Sequence, residues 1–170
     1  MATMNRCCER ARTLALVTAS ALVGVATVSP AAADGVRWRT VVGIVQPGNV
    51  VGNIGGGGQP WTTLRGHASV DLSASRVEFE VQGLVLAGGN AIGTPDAIVQ
   101  VKGTLLCDPG GANLAIDTVL VPLSATGDAE FSGAVPTIPT TCTPSNVAFL
   151  IRIPANRWIA NGAVRTGPGN

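Results

Sequence analysis

Two stretches of strict polar–apolar alternation constrain this chain most: HASVDL at 67–72 and RVEFEVQGL at 76–84. In the first, Ala68, Val70 and Leu72 fall on one side, and His67, Ser69 and Asp71 on the other. In the second, Val77, Phe79 and Val81 oppose Arg76, Glu78, Glu80 and Gln82. A period of two belongs to a strand with one buried and one wet face. A turn around Ala74 and Ser75 predicts a hairpin that pairs Leu72 with Val77, Val70 with Phe79, and Ala68 with Val81. A slip of one residue would bury the charges, so the side each residue takes is strongly specified.

The same pattern recurs along the chain. Val99, Val101, Leu105 and Cys107 are in phase, as are Ala129, Phe131, Gly133 and Val135. Val147, Phe149, Ile151 and Ile153 alternate with Arg152 pointing out, and Trp158, Ala160, Gly162 and Val164 give a last strand. Residues 36–45 read as the first strand. Val119, Val121, Leu123 and Ala125 alternate too, and Pro122 marks that stretch as an edge or bulge. With 22 Gly and 11 Pro as punctuation and no sustained helical period, the class is all-β. The spacing predicts an antiparallel two-sheet β-sandwich of Ig-like or Greek-key type, with a small β-barrel as the alternative. Residues 48–60 (GNVVGNIGGGGQP) and 87–96 (AGGNAIGTPD) read as two long loops.

The N-terminal stretch has a different character. Arg6, Arg10 and Arg12 precede an uncharged apolar run at 13–29, then Pro30 and Ala31-Ala32-Ala33. This is the layout of a secretory signal peptide over residues 1–33, leaving one secreted domain at 34–170. The run is short for a membrane span, and no later segment is apolar enough for one. No stable membrane insertion is therefore expected after cleavage. The destination is extracellular or periplasmic. Arg outnumbers Lys ten to one, the composition of a high-GC bacterial source.

The formal net charge is +1, and losing the basic leader takes the remainder just below neutrality. That excludes the electrostatic footprint of a nucleic-acid binder. Beyond residue 33 there is one His (His67), one Lys (Lys102), no Met and no Tyr. Blue-copper and haem attachment sites fail on this inventory, and no cofactor is expected. Cys107 and Cys142 are the two cysteines left, and in an exported chain they predict a disulfide. That bridge would tie the Pro-rich segment TIPTTCTP to the sheet.

Few residues suggest chemistry. Gly55 to Gly58 lack the Lys-Ser or Lys-Thr of a phosphate loop. His67, Ser69 and Asp71 are the residue types of a hydrolase triad, but Ser69 lies between the other two, so the triad order is absent. Asp71, Glu78 and Glu80 gather carboxylates on the hairpin's polar face, where the predicted register sets Asp71 against Glu78. Arg76 or a bound metal ion would relieve that repulsion. Trp38 and Trp158 share strand phase with core residues, whereas Trp61 follows the glycines and reads as exposed. Trp61, Asn53 and Gln59 are thus the candidate ligand contacts.

The segments VKGTLLC, LSATGDAEFSGAV and AFLIRIPANRWIANGA resemble small exported bacterial proteins of unassigned activity. The run from Gly66 onward also resembles chordin-type repeats in its alternating strands and Gly-ended last strand. The A-H-I-H segment of those repeats is missing, so no functional residue carries over. The expected function is a secreted, non-catalytic binding or surface-interaction module for an extracellular ligand or surface. The alternatives are a carboxylate-dependent secreted hydrolase and a small-ligand-binding β-barrel. A concave pocket holding two of Asp71, Glu78, Glu80, Asp96, Asp108 and Asp128 would favour the hydrolase.

Overall fold

The computed structural model describes residues 35–166, so the expected signal peptide at 1–33 lies outside the described residues. The described residues contain strands and turns and no helix. In chain order the strands are β1 (Gly35–Gly43), β2 (Val50–Val51), β3 (Ile54–Gly55), β4 (Trp61–Thr62), β5 (Arg65–Asp71), β6 (Arg76–Gln82) and β7 (Val85–Leu86). They continue with β8 (Gln100–Cys107), β9 (Leu114–Asp117), β10 (Val121–Pro122), β11 (Ala129–Ala134), β12 (Val147–Arg152) and β13 (Trp158–Thr166).

Nine of these form one antiparallel sheet in the order β10-β8-β12-β13-β1-β5-β6-β11, with β9 beside β8. The sheet curls into a half-barrel. Two further two-stranded sheets, β2-β3 and β4-β7, sit outside that path. The large strands thus join a single continuous sheet rather than the two facing sheets of the expected sandwich. All-β and antiparallel both hold.

The β5–β6 hairpin keeps the expected faces and changes the expected register. Val70 pairs with Val77, Ala68 with Phe79, and Gly66 with Val81, two positions from the predicted pairing. A two-residue shift preserves the pleat, so Ala68, Val70, Val77, Phe79 and Val81 are still buried. The cause is local. The connection spans 72–75, and Asp71 Oδ1 organises it by accepting from Ala74 N at 2.8 Å and Ser73 Oγ at 2.7 Å. Carboxylates capping their own turn in this way are common.

The concave face is filled by side chains. Phe149 lies 5.7 Å from both Trp38 and Phe79, and Phe79 lies 6.1 Å from Phe131 between ring centroids. These tilted and offset pairs suit the aromatic quadrupole. Gly103 on β8 makes room for them. A Cβ there would come within 2.9 Å of the Phe79 ring. The interior is therefore a packed core.

The convex face is covered at β8 and β12. Leu106 and Leu150 are fully buried there. The glycine-rich stretch expected to be a loose loop lies over them. Gly52 sits against Leu106, Gly57 sits against Ile159, and Trp158 Nε1 donates to Asn49 O at 3.1 Å. The two ends of the curl are closed differently. Trp61 N donates to Ile44 O at 2.8 Å, bringing β4 and β7 across one end. At the other, the Pro-rich segment is held by the Cys107–Cys142 disulfide, with Cα atoms 5.3 Å apart. Ile138 is buried in that segment, and its N–H donates to Ser75 Oγ at 2.9 Å.

The turn before β11 depends on Gly127. Its φ is +83°, and a Cβ would lie 2.5 Å from the Leu84 backbone. Its carbonyl accepts from Leu84 N at 2.8 Å. Gly127→Ala is expected to cost about 1–3 kcal/mol through left-handed strain and that contact. Denaturant titration checks it, and an unchanged midpoint would contradict this geometry.

Candidate functional site

Three rows of side chains cross the outer face of β5, β6 and β11. The pairings place His67 beside Glu80 and Glu80 beside Glu130. The next row is Ser69, Glu78 and Ser132, and the third is Asp71, Arg76 and Ala134. Glu80 and Glu130 are thus direct cross-strand neighbours of like charge. Such a pair destabilises a sheet unless a cation screens it.

Two hollows meet at this pair. One, of about 450 Å³, lies between β10 and the β6–β11 edge and is lined by Glu80, Gln82, Val121, Pro122, Asp128 and Glu130. The other, of about 420 Å³, is bordered by Glu78, Glu80, Glu130 and Ser132. The first exists because the curled sheet stops short of closing. A turn joins β10 to β11, with Ser124 N donating to Asp128 O at 2.9 Å. Beyond the turn the two strands share no ladder. Pro122 ends β10 and has no N–H to offer one.

The carboxylates around these hollows differ in their commitments. Asp128 accepts from Thr126 Oγ1 at 2.7 Å and from Gly83 N at 3.0 Å. The Thr126 bond, then the Gly83 bond, holds its carboxyl below the usual range despite some desolvation. Asp128 therefore stays ionised near neutral pH. Glu80 accepts from Gln82 Nε2 at 2.7 Å. Glu130 has no side-chain hydrogen bond among the described residues.

The other sequence candidates are dispersed. Asp71 is opposite Arg76, away from Glu78 and Glu80, and its carboxyl is lowered by the bonds from Ala74 and then Ser73. The expected trio of Asp71, Glu78 and Glu80 does not come together. Among the described residues no group of three or more His, Cys, Asp or Glu is arranged to hold a metal ion. Trp61 is buried at 5% exposure, against the expectation of an open indole. It is the first residue of β4, the strand drawn across the end of the curl, and its indole is buried. Trp61 and Gln59 do share a small pocket of about 170 Å³ with Leu86, Asp96, Ile98 and Ile153. That volume fits a single side chain. Asn53 is exposed in the β2–β3 turn and does not line it. Asp108 caps its own turn by accepting from Ala112 N at 2.7 Å.

Sequence reading missed one polar cluster. Arg152, expected to point into solvent, is 7% exposed. Its Nη1 donates to Asp117 Oδ1 at 3.0 Å, and Lys102 Nζ donates to Asp117 Oδ2 at 2.6 Å. Thr104 Oγ1 adds a bond to Asp117 at 2.7 Å, and Lys102 reaches Asn156 Oδ1 at 2.9 Å. Burial raises the Asp117 carboxyl, but the Lys102 and Thr104 bonds and the two cations outweigh it, so it ends below the usual range. This cluster ties β8, β9 and β12 together. Its groups are spent on one another, and it reads as a clamp.

The chain matches no family model, no curated protein and no solved structure. The likeness to chordin-type repeats therefore rests on strand pattern alone.

Proposed function

We propose that residues 34–170 form an exported, non-catalytic binding domain that works through the open seam of its sheet. The observation that carries this reading is the pair of hollows sharing Glu80 and Glu130 beside a strand with a ladder partner on one side only. A signal peptide at 1–33 and the Cys107–Cys142 disulfide fit an oxidising, extracytoplasmic compartment. We read the curled sheet as an opened barrel whose interior is packed, which counts against the small-ligand barrel.

Native mass spectrometry of the full chain exported by a bacterial host tests this. The expected mass begins at Asp34, is lower by two hydrogens, and carries no bound passenger. A retained leader or free thiols would overturn the exported reading. A copurifying metal or small molecule would overturn the reading as a surface binder.

A second reading is a secreted hydrolase. It is favoured by the hollow that gathers Glu80, Asp128 and Glu130, which meets the two-carboxylate condition set by the sequence. Acid–base hydrolysis needs one carboxyl kept protonated near neutral pH. Asp128 is shifted the opposite way, which places this reading second. Turnover of a glycoside or ester panel that disappears in Glu80→Gln would reverse the order.

A further inference from the structure

We propose that the free edge of β11 accepts an extended basic peptide as an added strand of the sheet. This deepens the binding-domain reading and rests on it. In a strand, the N–H and C=O of one residue face one neighbour, and those of the next residue face the other. Val135 N donates to Ser75 O at 2.9 Å, and Leu64 N donates to Gln82 O at 3.0 Å. Counting from these, the backbones of Ala129, Phe131 and Gly133 face β6. Those of Glu130, Ser132 and Ala134 face the seam, where the sheet has no further strand among the described residues. All three residues are exposed. Three N–H donors and three carbonyl acceptors thus stand in register, a template for strand addition.

The flanking chemistry selects the occupant. Because Phe131 and Phe79 form a hydrogen-bonded pair, Glu130 and Glu80 form the close, non-hydrogen-bonded kind, and their carboxylates crowd. Asp128 adds a third negative charge to the same hollow, and no cation lines it. His67 stands beside Glu80 from β5, Arg65 lies near Asp128, and Arg76 Nη2 donates to Ser132 Oγ at 3.3 Å farther along. None of these forms an ion pair with Glu80 or Glu130 among the described residues. On the inner side the added strand would meet half-buried Phe131 and Val121. The fitting segment therefore alternates basic and apolar residues, with its basic side chains on the face of Glu130. In the antiparallel addition proposed here, which continues the antiparallel order of the sheet, the residue opposite Glu130 turns its own backbone toward β11, so the hydrogen-bonding amides of the peptide are those of its basic residues. A second copy of this chain would bring the same acids to the seam, so charge disfavours it.

Fluorescence anisotropy at low salt tests this with the exported domain and labelled eight-residue peptides. The lysine–valine alternating peptide should bind at least tenfold tighter than its glutamate–valine counterpart. N-methylation of its lysine amides should weaken binding tenfold or more, and N-methylation of its valine amides should leave it. The Glu80→Gln/Glu130→Gln variant should lose about tenfold for the basic peptide while melting no lower than wild type, since it relieves the like-charge pair. Equal binding of the two N-methylated forms would reduce the effect to surface charge and overturn strand addition. Self-association of the domain in sedimentation without peptide would assign the edge to a second copy and also overturn it. Failure of every peptide to bind would remove this edge as the site while leaving the binding-domain reading. Cleavage of the peptides, read by mass, would instead overturn that broader reading.

Discussion

Asp117→Ala is expected to lower the stability of the domain by about 3 kcal/mol at neutral pH, the scale on which removing one partner strands a buried charge. Two cations are stranded here, because Lys102 and Arg152 keep only 15% and 9% of their side-chain surface exposed. Arg152 Nε is already buried without a partner, so the guanidinium has little left to bond to. Asp117 retains 34% exposure, which admits water and places the effect at the low end of the buried range. The loss should also depend on pH. The folded carboxyl lies below its ordinary value, so its contribution is complete above about pH 4 and fades as pH falls through the lower folded value. Guanidinium titrations of wild type and variant at pH 7 and pH 3 check both parts. The gap between the two proteins should be widest at pH 7 and narrower at pH 3. A constant gap would mean that Asp117 acts through packing and not through its charge.

Removing the disulfide should cost a similar amount. Cys107→Ala/Cys142→Ala is expected to lose about 2–5 kcal/mol, since the bridge closes a long loop. The sequence separation is 35, and the segment it spans includes β9, β10 and β11. The local effect should be sharper than the global one. The cap over that end of the curl is otherwise held by the Ile138–Ser75 bond and by buried Ile138. Hydrogen exchange should show early opening at Ile138 and Cys142, while the amides of β5, β6 and β12 stay protected. Uniform loss of protection would show that the bridge supports the whole sheet and not the cap.

The alternation of single strands was legible, and beyond the β5–β6 hairpin the partners of those strands were not. Parity along β5, β6, β11 and β12 followed from side-chain pattern because each has one side committed to the core. The hairpin register was displaced because Asp71 builds a four-residue turn, a side-chain effect that alternation does not report. The pairs β2-β3 and β4-β7 went unread since two residues cannot display a period. Arg152 was assigned to the correct side of β12. The error was to equate the convex face with water, when Asp117 and the Asn156 carbonyl take up the guanidinium there. The same gap hid the candidate site. Glu130 carried no signal until the β6–β11 ladder set it beside Glu80. Trp61 misled because glycines before an aromatic suggest an open loop, whereas here they let the backbone lie close to Ile159 and Ile44.

The first strand of the sheet is married to the last. Trp38 pairs with Arg165 and Val42 with Asn161, so β1 waits for residues at the far end of the chain. A polypeptide emerging N-terminus first, from a ribosome or through an export channel, therefore holds β1 with one side unsatisfied until β13 arrives. Non-local pairing of this kind slows folding. On the proposed exported reading the delay is useful, because the sheet cannot lock before the chain has passed.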